Sequence, residues 1–470
     1  MRRTPKTGYG LIGLVLAASL VSGCLGQETE ADPEKNADAK KFSLTIASNA
    51  IKGGKNSEGA TWLQEWVIPR FVKAQKEKGV TAKVKFEPSG VDDEDYKSKI
   101  SLDMQSGKGA DIVDLDGIWV GEFAESGYIK PLNQVVGAHT VESWSGWNEI
   151  PDAVRANGSY QNQQYGVPAG TDGRVIFFNK ALFEKAGLPA DWQPTSWAEI
   201  ISAAKKLKKL SGVTPLQLNA GTAMGEATTM QAFLPLLAGA GAEISKDGKW
   251  AGATEQVRTV FDFYDDVYSA KLSDPVLQKE AKGRDKSFQM FADGKLGMLL
   301  ESDYLWRDVI DPADGIAPMK NRDSDVGYAK IPAQKPGAGV QGQDFVSMSG
   351  GSARVINPNT DYPQQAWELL TFINSEAAIK AELGDSARIT ARQDVNADVL
   401  SNDPMLSFVS DEVLPLTLFR PSLTEYPEVS LALQEATLAV VDGKSVVEAA
   451  TAYQTKLEKI VGAKDTIASG

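Results

Sequence analysis

The sequence predicts an α/β fold organised in more than one domain, and three observations carry that reading. Strand-like and helix-like segments alternate from residue 42 to residue 115, the arrangement that builds α/β layers. The same alternation restarts near Tyr165 and continues past residue 300. About 430 residues follow a polar N-terminal stretch, enough for two or three domains, and an apolar content of 42% is ordinary for a globular chain.

The elements follow in order. Residues 42–47 (FSLTIA) alternate apolar and polar and are rich in β-formers, so they read as a strand. Residues 61–78 carry Trp62, Leu63, Trp66, Val67 and Phe71 on one helical side, with Pro69 expected to kink or divide the helix and Gly79 to end it. Strands are expected at 84–86 and 112–115, the latter buried and flanked by Asp111 and Asp116, with a helix at 96–106 between them. After Tyr165 come a strand at 175–178, a short helix at 180–186, and a helix to about Leu210 that Ser196 and Glu199 open as a capping box. Further strands are expected at 216–218, 297–300 and 326–329, and helices near 228–238, 254–268, 362–374, 430–440 and 446–460.

The N-terminus has a separate logic. Arg2, Arg3 and Lys6 precede an apolar run at 11–20, the length of a signal-peptide core and too short to span a bilayer, which takes ~20 apolar residues. Val21-Ser22-Gly23-Cys24 resembles a bacterial lipobox, which implies removal of residues 1–23 and lipid attachment, palmitate among the acyl chains, at Cys24. The charged residues that follow, to about Lys40, read as a flexible tether.

Charge and composition exclude several functions. The formal charge of −13 becomes −16 once the three basic leader residues are removed, which disfavours nucleic acid and anionic lipid as partners. Cys24 is the sole cysteine and His139 the sole histidine, so disulfides, CxxC and HExxH metal motifs and most nucleophile triads are absent. The GxGxxG-like run at 337–342 follows a Pro-rich loop instead of a strand. Neither 92–95 nor 323–325 has the spacing of a calcium-binding EF-hand loop. No cofactor or metal is expected.

At 177–210 the sequence resembles family 1 extracellular solute-binding proteins, the carbohydrate-type receptors of ABC importers related to maltose-binding protein. The resemblance rests on Phe178-Asn179-Lys180, Leu182-Phe183, Ala186-Gly187-Leu188 and Pro194-Thr195-Ser196-Trp197-Ala198-Glu199. Asp111-Ile112-Val113, Gly166-Val167-Pro168, Phe291 to Met298, Gly350-Gly351 and Arg420-Pro421 agree in family order. Physically these residues are mostly structural, so they point to the fold without marking a site. The resemblance implies a periplasmic-binding-protein-like type II fold: two α/β lobes joined by crossover strands, with a ligand cleft between them. The expected N-terminal lobe is 41–168 plus 300–345 and the C-terminal lobe 173–299 plus 350–470.

The same resemblance implies site residues. Asp116 follows the third strand, as a ligand carboxylate or a helix N-cap, with Trp119 one turn later as ligand platform or core residue. Asp172 sits in the first crossover, as ligand contact or turn residue before Gly173. Glu58 follows the first strand, and Arg420 is either a ligand contact or a surface ion pair. Many relatives place a stacking Trp near Ser302 and at Ser352, and both are absent here, so either Tyr304, Trp306, Phe345 or Trp119 replaces them or the ligand is not a typical oligosaccharide.

The expected function is that of a monomeric, lipid-anchored, non-catalytic receptor on the extracytoplasmic face of a bacterial membrane. It would capture a di- or oligosaccharide and deliver it to permeases. The alternatives are a receptor for another polar solute, such as a polyol or glycerophosphodiester, or a surface glycoside hydrolase with two facing carboxylates.

Overall fold

The computed structural model describes residues 31–54, 56–91, 93–280, 282–313, 315–384, 387–462 and 466–468. The leader and Cys24, and with them the expected lipid attachment, lie outside the described residues. Two mixed sheets organise the rest. The first comprises β1 (Lys41–Ser48), β2 (Thr81–Pro88), β3 (Ile112–Asp116) and β4 (Gly166–Pro168). The second comprises β5 (Arg174–Asn179), β6 (Thr214–Gln217), β7 (Leu296–Ser302) and β8 (Val326–Ala329) in the order β8-β5-β7-β6. The chain then forms β9 (Ile331–Pro332), β10 (Phe345–Ser349) and β11 (Ser352–Ile356), and late in the sequence β12 (Thr417–Phe419). β11 returns to the first sheet, giving the order β2-β1-β3-β11-β4, and β9-β10-β12 form a small sheet at the crossovers.

This pairing redraws the expected lobe bounds. β8 pairs antiparallel with β5 in the second sheet, so 300–345 is not part of the first lobe. β11 is hydrogen-bonded between β3 and β4, so the start of 350–470 belongs to the first lobe. The helix Pro363–Ile373 goes with it and buries Ala366, Leu370 and Ile373 in the cluster that holds Phe42, Leu44 and Ile46. The chain crosses back near β12, and the helices Tyr426–Val441 and Val446–Val461 pack on Glu255–Ser269 in the second lobe. The physical reason is the crossover: the paired glycines 350–351 let the chain return to the first lobe, where β11 (SARVI) is apolar enough to be buried inside the sheet.

Strand alternation sets both cores. In β5, Ile176 and Phe178 face the helical layer that includes Trp197–Leu207 and Glu255–Ser269, whereas Val175 and Phe177 face the opposite cluster. Helix 57–77 stays continuous through Pro69: a π-turn at Leu63–Val67 precedes the proline, which takes a first-turn position in Ile68–Glu77. The capping box is displaced by one residue. Glu199 accepts from the Thr195 backbone N–H at 2.7 Å, and the Ser196 side chain caps nothing.

The tether expected over 24–40 is ordered in its described part. Gln364 donates to the Pro33 carbonyl at 2.9 Å, Gln365 donates to the carbonyls of Asn36 and Ala37, and Asn36 donates to the Asp361 carbonyl. A polar segment with little to bury is held here because side-chain amides of the first lobe satisfy its backbone.

The crossovers touch at Gly351. Its φ is +143°, and a Cβ there would lie 2.2 Å from the Gly170 carbonyl oxygen. The Gly351 carbonyl accepts from Gly117 N–H at 3.0 Å, and the Ser352 carbonyl from Ala169 N–H at 2.8 Å. Gly170 has open space around its own Cβ position. Gly351→Ala is expected to cost about 1–3 kcal/mol through backbone strain and overpacking, while Gly170→Ala stays within about 0.5 kcal/mol. Urea unfolding of both variants measures this, and equal losses would contradict the close approach.

Candidate functional site

The site begins with a change of polarity along one face of the first sheet. On that face β1 presents Leu44 and Ile46, β3 Ile112, and β11 Ile356, all buried beneath helices. Two and four residues further along β3 the same face carries Asp114 and Asp116, paired across the ladder with Arg354 and Ser352 of β11. Ser48 ends β1 at this edge. The parallel strands β1 and β3 therefore finish in a polar edge, and the crossovers leave and re-enter the lobe there. Ligand crevices of open α/β sheets lie at such strand ends.

Three expected residues meet where the crossovers touch. Asp172 accepts the Gly350 N–H at 2.7 Å and is ion-paired with Arg174. Burial would raise its pKa, but the Arg174 guanidinium and the Gly350 amide outweigh that and hold it below the usual carboxylate range. Arg174 is 5% exposed and also donates to Gln231 and to the Met348 carbonyl. Arg420 lies 3.8 Å from Asp116 of the first lobe and 3.4 Å from Glu226 of the second. Glu226 accepts from Tyr426, Thr229 and Ser430 hydroxyls. Arg420 is thus a deep interlobe ion pair, its side chain 13% accessible, instead of a surface one. Asp116 also caps the short turn Gly117–Trp119 by accepting from Ile118 N–H at 3.1 Å, so both of its expected roles are compatible. Burial pushes its pKa up against the opposing charge of Arg420.

Glu58 is brought to a neighbouring cavity of about 420 Å³ at the same edge, lined also by Asp114, Thr171, Arg354, Glu382 and Arg388. Glu58 lies 3.3 Å from Arg388 at the cavity wall. Arg354 Nε approaches Asp114 Oδ1 to 2.9 Å, but at an angle outside hydrogen-bond geometry, so both buried atoms remain without a hydrogen-bond partner, as does Thr171 Oγ1. Burial raises the Glu382 pKa, against Arg354 and Arg388. A larger groove of about 840 Å³ lies on the outer face of the second lobe, between helices Trp197–Leu207 and Glu255–Ser269. Its solvated lysines and aspartates are remote from the strand ends, and we place the site at the crossovers.

The aromatic residues divide. Trp119 is 6% exposed and packs with Tyr96 on the opposite face of the first sheet, a core role that leaves no ring face for a ligand. Trp306 is likewise buried, its indole N–H donated to Asp403 and its ring under Arg322. Tyr304 is half-buried just beyond β7, its ring 5.8 Å from both Arg284 and Arg307. Phe345 lies under the Lys330 ammonium at 4.9 Å. Residues not anticipated from sequence are Asp114, Arg174, Glu226, Asp303, Arg354, Glu382 and Arg388. The available signal was a charged residue inside an apolar strand, as at Arg174 and Arg354.

Comparison with known proteins agrees with this architecture. The family model for bacterial extracellular solute-binding proteins matches residues 54–380. A diacetylchitobiose binding protein of Streptomyces coelicolor is 22% identical over 378 residues, covering 75% of this chain and 76% of the relative. An ABC transporter solute binding protein from Thermotoga lettingae, solved with α-D-tagatose, superposes with a TM-score of 0.62 at 24% identity, covering 89% and 100% of the two chains. The cyclic α-maltosyl-1,6-maltose binding protein of Arthrobacter globiformis superposes with a TM-score of 0.69 at 20% identity, covering 90% and 99%. The two-lobed periplasmic-binding-protein fold is shared.

One pH dependence follows from the crossover. Asp303 is 1% exposed, accepts from Gly173 N–H and Arg307 Nε at 3.0 Å each, and has its pKa raised to about 6 by burial and by the charge of Asp172. A carboxyl whose folded pKa is raised contributes stability below its unfolded pKa, and that contribution is lost as pH rises through about 6. At pH 5 the neutral acid resembles Asn. From pH 5 to pH 8, Asp303→Asn should therefore gain stability relative to the parent by about 1.4 kcal/mol, one unit of linkage. Urea unfolding at the two pH values tests this, and an unchanged or reversed difference would contradict it.

Proposed function

The chain belongs to the bacterial extracellular solute-binding protein family, whose members are non-catalytic receptors, and on that premise we propose that it captures a neutral, polyhydroxylated solute for an ABC importer. The solute is a sugar or polyol, taken up outside the cytoplasm and passed to permease subunits. The observation that carries this reading is the pairing of charge around the crossovers. Arg174, Arg307, Arg354, Arg388 and Arg420 each already face a carboxylate: Asp172, Asp303, Asp114, Glu58, and Asp116 with Glu226.

A phosphodiester needs a cation that is not already neutralised. A hydroxyl is donor and acceptor at once, and a carboxylate beside a guanidinium offers the complement of both. The glycerophosphodiester alternative is therefore less favoured than a sugar or polyol. The relatives named above for diacetylchitobiose and cyclic maltosyl-maltose, and the one solved with tagatose, fit the same class.

In this mechanism the solute rests on the polar edge of the first lobe, and the second lobe closes over it by rotation about the crossovers, bringing Tyr304 and Glu226 nearer. Asp116 and Arg420 take part in the cleft; Asp172 acts through the hinge, because its partners are the Gly350 amide of the second crossover and Arg174 at the start of β5. A lipid on Cys24 would keep the receptor beside its permeases, and the sequence at 21–24 supports that anchor. In a thermal-shift screen, neutral sugars or polyols should raise the melting temperature, and glycerophosphodiesters should leave it unchanged. Stabilisation by phosphodiesters alone would sink the proposal.

A further inference from the structure

The cavity beside Glu58 says more about the solute than its chemical class. Its volume of about 420 Å³ falls toward the lower end of small-ligand pockets, which run from roughly 300 to 1,000 Å³. The Glu58 and Arg388 side chains meet at 3.3 Å across its wall, one from the helix Ser57–Trp62 and the other from the segment after Glu376–Leu383. Among the described residues, none of the lining comes from the second sheet or its helices; the remaining wall is the first crossover, 169–171.

A chain of sugar rings needs a row of flat apolar faces, and this cavity does not supply one. Trp62 is its sole aromatic lining residue among those described. That ring is 4% exposed, its indole N–H is donated to the Ala378 carbonyl at 2.8 Å, and the Arg354 guanidinium lies over its face at 5.4 Å.

What the cavity does supply is unsatisfied polar valence in a small volume. Arg354 is 6% exposed, and its Nε, Asp114 Oδ1 and Thr171 Oγ1 have no hydrogen-bond partner. The first two face each other as an ion pair at 2.9 Å without hydrogen-bond alignment; buried polar atoms are normally paired, so the Thr171 hydroxyl beside that pair marks the place of a missing partner. Arg354 Nε and Asp114 Oδ1 are already 2.9 Å apart, so a hydroxyl sits beside the pair and not between them, where it can donate to the carboxylate and accept from the guanidinium, with Thr171 and Glu382 lining the same cavity for neighbouring hydroxyls.

We propose that the solute is a single sugar unit or an open-chain polyol of similar size, held on the first lobe by Asp114, Thr171, Arg354 and Glu382. This rests on the sugar or polyol reading above and replaces the di- or oligosaccharide expected from sequence.

Calorimetry on the purified chain tests it with two panels, D-glucose, D-galactose, D-fructose, D-xylose, ribitol and sorbitol against maltose, cellobiose and sucrose. At least one single-unit solute should bind at least tenfold more tightly than any disaccharide. Thr171→Val should weaken that solute roughly tenfold, the size of one lost hydrogen bond. Its melting temperature without solute should be unchanged or raised, because an unpartnered buried hydroxyl has been removed. Disaccharides binding more tightly than every single unit would overturn the size class while leaving the general reading intact. Single-unit binding that Thr171→Val does not weaken would overturn the location. Binding in neither panel would overturn the general reading together with this one.

Discussion

The architecture depends on neutralising one carboxylate where two crossovers meet. Asp172 is placed between the lobes, and a charge in such a position has to be compensated where it stands. Arg174 from the second sheet and the Gly350 amide from the other crossover do this together. The contact that satisfies the charge therefore also ties the crossovers to each other. Gly351 is required for the same reason: only a residue without a Cβ lets the second crossover approach the Gly170 carbonyl. Asp303, with Arg307, holds Gly173 from the second lobe, so the first crossover is pinned on both sides.

This meeting point gives the solute edge its place. β3, β4 and β11 all end or begin there, and one face of the first sheet turns from Ile112 and Ile356 to Asp114, Asp116, Arg354 and Ser352 within two turns of the pleat. The apolar part anchors the strands beneath helices, and the polar part projects from that rigid support into the cleft. In the proposed site Asp114 and Arg354 sit on strands, Glu382 on a helix of the same lobe and Thr171 on the first crossover beside the hinge groups. Rotation about the hinge can then move the second lobe without disturbing the cradle.

Much of the fold was legible because local pattern decides it. The strands at 112–116, 174–179 and 326–329 and the helices after Thr254 and Ser445 follow from alternation, apolar runs and caps, and fall at or within a residue or two of expectation. Lobe membership was not legible, because nothing in SARVI states which sheet it will join; that is decided by the long-range crossover at 350–351. The site divides the same way. Asp116, Asp172 and Arg420, expected from the resemblance, come together at the crossovers, and Glu58 lies at the neighbouring cavity. Trp119 could not be told from a core residue, since helical spacing is the same for both. Asp114 was hidden in a strand read as buried, although it shares a face with Asp116. Arg354, Glu382 and Arg388 come from segments more than 200 residues away, and only folding brings them to Glu58 and Asp114.

The central claim is that solute rests at the strand ends of the first lobe and is enclosed by movement about the crossovers. Hydrogen–deuterium exchange, with and without the solute that stabilises the protein most, measures this directly. The account predicts slowed exchange at residues 48–58, 112–116, 169–173 and 350–354, with the outer helix at 197–207 unchanged. Protection confined to that outer helix and its groove, with the crossovers unaffected, would contradict it.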